Sequence, residues 1–142
     1  MENNIKNKAE EPDSAMAAGE RALRSLGLAQ EHLKSTGKYG LWDVFGGGFL
    51  SGAMKRSKVD EAKNCMARAR DHLAVFKGAL EDMQAPADFL VDLGEFIKFA
   101  DYFIDSNIAD WAVQSRISDA KIQVSIITEK VGRMVSWLRD DI

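Results

Sequence analysis

Val59, Ala62, Met66, Ala69, Leu73, Phe76, Leu80 and Met83 alternate at spacings of three and four residues without a miss. That spacing keeps all eight side chains on one narrow face of an α-helix, whereas a strand needs alternation at every second residue. Near the end of the chain Val113, Ile117, Ala120, Val124, Ile127, Val131, Met134 and Leu138 repeat the pattern. A one-sided apolar ridge has to be buried against a neighbour. Two such ridges predict an all-α fold: an antiparallel bundle of about four helices, two of them long and heptad-patterned.

The remaining segments fit this frame. Residues 1–12 are polar and charged and read as a disordered tail, leaving 13–142 as a single bundle domain. Asp13 or Ser14 can cap a first helix running to about Ser35, with Met16, Leu23, Leu26 and Leu33 as its inner face and alanines flanking them. A Gly-rich bend then separates helices 1 and 2, because glycine costs a helix interior about 1 kcal/mol each and Gly46, Gly47 and Gly48 stand together. The second helix is expected to start at the capping box Ser57-Lys58-Val59-Asp60, or to join a kinked segment from Phe49. Gln84-Ala85-Pro86 stops it, since proline cannot continue a helix.

A third helix from about Pro86 to Asp105 carries two apolar stripes. Phe89, Leu93, Phe96, Ala100 and Phe103 form one, and Leu90, Ile97 and Ile104 the other, so it should touch two neighbours. Ser106-Asn107 can cap a fourth helix from Ile108 to Arg139. On its far side Trp111, Ser115, Ser118, Ile122, Ser125 and Gly132 form a small or apolar line that one partner helix would not require. Trp111, Ser115, Ser118, Ile122 and Ser125 are therefore the candidate oligomer interface. A homo-oligomer is expected, a dimer in the simplest case, together with a protein partner of unspecified identity.

Charge is segregated. Residues 55–70 hold six bases and two acids, while residues 81–110 hold eight acids and one base. The two groups are expected to answer one another, each exposed pair contributing less than about 1 kcal/mol. The total is only −3 over 142 residues, which gives no argument for nucleic acid. Cys65 is the only cysteine, and the longest charge-free run of the glycine segment, Val44 to Met54, is too short to span a membrane. No transmembrane segment is expected, and the setting is read as reducing and cytoplasmic.

Residues 39–56 hold the candidate ligand site. Tyr39, Trp42 and Asp43 could wall a pocket, the backbone amides of Gly46, Gly47 and Gly48 could meet an anion, and Lys55 and Arg56 supply positive charge. A phosphate-binding loop is excluded, because Ala53-Met54 stands where lysine and serine or threonine are required. Trp42, Phe45 and Phe49 would more simply close the end of the core; peripheral membrane contact through this aromatic tip is a weaker alternative.

A carboxylate-bridged metal site would need Glu-x-x-His pairs, but Ala29 and Ala69 precede His32 and His72. Asp101 and Asp105 lie one turn apart and pair as readily with lysines. No metal, cofactor or catalytic residue is assigned, and Cys65 reads as a packing residue with no base to activate it.

The segments Trp42-Asp43-x-x-Gly46-Gly47-Gly48, Lys58-Val59-Asp60-Glu61-Ala62, Phe99-Ala100-Asp101-Tyr102-Phe103 and Ala109-Asp110-Trp111-x-Val113-Gln114-Ser115-x-Ile117 resemble, in the same order, a set of uncharacterised bacterial all-helical proteins. The resemblance spans most of residues 20–138. It implies a helical fold and a bacterial cytoplasmic setting, and it implies no activity. The function these observations favour is a non-enzymatic, self-associating helical scaffold or adaptor. The alternative is a protein or enzyme that binds a small anionic ligand at 39–56.

Overall fold

The computed structural model describes the backbone of residues 2–39, 52–106 and 114–140, and the side chains of 14–34, 60–106 and 117–140. The described residues form four helices and no strand: α1 (Glu2–Tyr39), α2 (Gly52–Asp82), α3 (Ala87–Asp105) and α4 (Gln114–Asp140). In this all-α bundle α1 packs on α2 and on α4, α2 packs on α3, and α3 and α4 make the smallest of the four interfaces. Following α2 from Lys63 through Arg70 to Lys77, its partners on α3 step back from Ser106 through Asp101 to Gly94. Following α1 from Gly19 through Ser25 to His32, its partners on α2 step back from Phe76 through His72 to Glu61. Both orders are those of antiparallel hairpins.

The described part of the α2 ridge is buried where the spacing places it; the Val59 side chain, and Val113 of the α4 ridge, lie outside the described residues. Ala62, Met66, Ala69, Leu73, Phe76 and Leu80 are essentially inaccessible and Met83 is half-buried. On α4 Ile117, Ala120, Val124, Ile127, Val131 and Leu138 are buried, but Val135 takes the position expected of Met134, which is only partly buried. A straight helix turns once per 3.6 residues and drifts against a strict seven-residue repeat, so the innermost line changes track here. On α3 both stripes are used: Leu93, Phe96, Ala100 and Phe103 are buried, and Phe89, Leu90, Ile97 and Ile104 are half-buried around them.

Helix α1 departs most from expectation. Its buried face is made of small residues, Ala15, Ala18, Ala22, Ser25 and Ala29, with only Leu26 and Leu33 as large members. Met16 and Leu23 are half-buried on the flank. Gly19 lies in the same face: a Cβ added there would come within 2.6 Å of Val135 Cγ2 and 2.9 Å of Phe76 Cε1. The missing side chain is what lets α1 settle between α2 and α4 at that level.

Helix boundaries also differ. Residues 2–12 are helical and belong to α1, where their composition suggested a detached tail and a start at Asp13 or Ser14. Lys, Glu and Ala are good helix formers, and the backbone continues through Pro12 despite its missing N–H. Helix α2 begins at Gly52, ahead of the Ser57 capping box, across the strong helix formers Ala53, Met54, Lys55 and Arg56. Ser106 closes α3 instead of opening α4: its N–H and its Oγ both donate to the Phe103 carbonyl, and Lys63 Nζ donates to its own carbonyl at 2.6 Å. Asn107 and the expected start of helix 4 lie outside the described residues.

The turn between α2 and α3 works before Pro86 is reached. Gln84 has a φ of 58°, the left-handed region. Its N–H donates to the Glu81 carbonyl at 3.1 Å and the Ala85 N–H to the Leu80 carbonyl at 3.0 Å. This bonding satisfies two orphan carbonyls at the helix end and normally employs glycine.

Two substitutions test this packing. Gly19→Ala would gain about 1 kcal/mol of helix propensity, yet overpacking a tight core costs about 1–3 kcal/mol. Its midpoint in urea should therefore fall, for a net loss of about 1 kcal/mol; an unchanged or raised midpoint would show that α1 does not approach α2 and α4 this closely. Gln84→Gly relieves a left-handed residue costing about 1–2 kcal/mol and loses part of that to unfolded-chain entropy. The melting temperature should rise by about 2–4 °C, and a fall would contradict the turn geometry.

Candidate functional site

The candidate ligand site cannot be assembled. Trp42, Asp43, Gly46, Gly47 and Gly48 lie outside the described residues, as do Phe45 and Phe49 of the aromatic tip. Tyr39 ends α1 and Lys55 and Arg56 sit in the first turns of α2, but their side chains are not described. Of the candidate oligomer line, Trp111 lies outside the described residues and Ser115 contributes only its helical backbone. Ser118, Ile122 and Ser125 stand exposed on α4, Ile122 with 55% of its surface accessible.

The structure brings together a different set of residues. Where α3 and α4 meet least, a groove of about 400 Å³ opens between Phe89 and Asp92 on α3 and Lys130, Arg133, Met134 and Trp137 on α4. Lys130 Nζ crosses it to Asp92 Oδ2 at 2.9 Å. Beyond that bridge the cleft continues more narrowly past Glu95, Phe96, Gln123 and Ile126. Trp137 is 49% exposed and Ile126 45% exposed at its outer edge. These residues fall just off the α4 ridge, so a reading that follows the ridge passes over them. The signal that could have found them is a tryptophan and an isoleucine at positions a fully satisfied helix would leave polar.

The charges answer one another in part. Arg70 pairs with Asp101 at 2.9 Å and also meets Asp71, contacts that hold its guanidinium more firmly protonated, the Asp101 hydrogen bond contributing most. Helix α4 takes up other acids, through Lys130–Asp92 and, toward α1, Arg139–Glu20 at 3.1 Å. Asp88 and Glu95 form no ion pair among the described residues.

Three arrangements bear on catalysis. Ser25 Oγ lies 2.5 Å from His72 Nδ1, the atom pair of a hydroxyl and a possible base. Ser25 is only 6% exposed between α1 and α2, and among the described residues no carboxylate orients the ring, so the contact reads as a core hydrogen bond. Cys65 is buried, and burial pushes its thiol up, Arg68 pulling it down less and Glu61 adding slightly. Among the described residues no three His, Cys, Asp or Glu side chains converge in a way that could hold a metal ion. No described helix is long and apolar enough to cross a membrane.

No family model, curated protein or solved structure matches this chain. Its chemistry therefore rests on this geometry.

The thiol provides a direct check. Cys65 in the native protein should react with a disulfide reagent far more slowly than in denaturant, and its rate should keep rising with pH beyond the ordinary thiol range. Rapid reaction at neutral pH would show that Cys65 is not buried in the core.

Proposed function

We propose that this protein is a non-enzymatic helical scaffold that works by associating with itself and presenting its bundle to a protein partner. The observation that carries this reading is the apolar surface left over once the ridges are buried. Among the described residues seven large hydrophobic side chains are exposed, and five of them, Val91, Tyr102, Ile122, Ile126 and Trp137, belong to α3 and α4. Scattered apolar side chains are normal on a surface, but a concentration along two adjacent helices beside an open groove favours a binding face. The resemblance to bacterial helical proteins supports a bacterial cytoplasmic setting and adds no chemistry. Dimerisation through this face fits the expectation of a homo-oligomer while moving its centre from the serine line toward Ile126 and Trp137.

Sedimentation equilibrium tests the reading. The 15.7 kDa chain should gain apparent mass toward twice that value as concentration rises through the micromolar range. A mass that stays at one chain over the whole range would overturn it.

A further inference from the structure

We propose that the α3–α4 groove binds a second copy of this chain about a two-fold axis, each molecule's acidic α3 edge lying against the other's basic α4 edge. This rests on the self-association reading above and specifies its face and register. The groove is apolar at its floor, where Phe89 and Met134 are half-buried, and at its rim, where Trp137 and Ile126 are exposed. Its two walls differ in sign. On α3 the carboxylates Asp88, Asp92 and Glu95 face the cleft, and on α4 the cations Lys130 and Arg133 face it.

That division selects the occupant. A two-fold axis running along the groove lays each molecule's α3 on the other's α4 and brings an acidic wall against a basic wall twice over, so one surface is complementary to itself. A lipid surface or a nucleic acid would want a basic rim throughout, and three carboxylates oppose it. Within one chain Lys130 already spends its charge on Asp92, and Arg133 pairs with Glu129 at the exposed surface. Asp88 keeps no ion-pair partner among the described residues. With that axis each α3 residue keeps its own level along the groove, so Asp88 of one molecule meets Arg133 of the other, the two lining the same stretch of the cleft. Asp88 with Arg133 across the axis is therefore the pair that fixes the register, while Trp137 and Ile126 supply the buried apolar area.

Charge-swapped full chains test this. Asp88→Arg and Arg133→Glu each place like charges opposite one another twice in a homodimer, and both side chains are solvent-exposed, so circular dichroism should be unchanged. Sedimentation should show each variant alone associating at least about tenfold more weakly than the wild type. An equimolar mixture of the two should regain the dimer, because every mixed pair is again opposite in sign. Trp137→Ala should weaken association as well, and the mixture should not rescue it. A wild type that dimerises while both variants dimerise equally well, or a mixture as weak as its components, would overturn this face and register and leave self-association standing. A monomeric wild type would overturn both.

Discussion

The bundle depends on how closely α1 can approach its two neighbours. Ala15, Ala18, Gly19, Ala22, Ser25 and Ala29 give it a face almost without side chains, and the large residues of α2 and α4 fill the space. Phe76 and Val135 occupy the volume that a residue larger than glycine would need at position 19. Leu26 and Leu33 anchor the far half of α1 in the core. Interiors pack at the density of organic crystals, so a small-residue face on one helix demands large residues opposite it. The heptads of α2 and α4 meet that demand, with Leu73, Phe76 and Leu80 on one side and Val131, Val135 and Leu138 on the other.

Polar groups follow the same economy. The buried polar side chain among the described residues, Ser25, finds His72, and no buried side-chain nitrogen or oxygen among them lacks a partner. Ion pairs sit at the periphery, joining α2 to α3, α3 to α4 and α4 to α1. Such exposed pairs contribute little stability each, and their use is to set which helices lie side by side. The contrast with the α3–α4 contact is instructive. There two neighbouring helices share the smallest of the four packed interfaces, a salt bridge spans the gap, and aromatic and aliphatic groups remain at the surface.

Much of this was legible in the residues. The α2 ridge from Ala62 to Leu80 reads directly, because positions at heptad spacing have only one way to be buried together. Helix α3 reads almost as well, since its two stripes require two neighbours and it has them. The α1 face was harder: hydrophobic periodicity weighs large side chains, whereas alanine and glycine signal burial only when the opposing surface is known. Val135 was missed because a 3.5-residue template drifts from a 3.6-residue helix. The left-handed Gln84 could not be read at all, since proline two residues later already explains the stop. The groove was hidden because its residues come from two helices, and which flanks face each other is a property of the fold. The middle of the site proposed at 39–56 and the expected start of helix 4 lie outside the described residues, and of Tyr39, Lys55 and Arg56 only the helical backbone is described.

The seating of α1 between α2 and α4 is tested most directly by native-state hydrogen exchange at increasing denaturant on the intact chain. If the small-residue face locks α1 into the core, amides of residues 15–33 will open together with those of 62–80 and 124–138, at the free energy of global unfolding. If residues 15–33 exchange through a separate opening of much lower free energy, α1 is an attachment to a three-helix core, and the packing described for Gly19, Phe76 and Val135 is wrong.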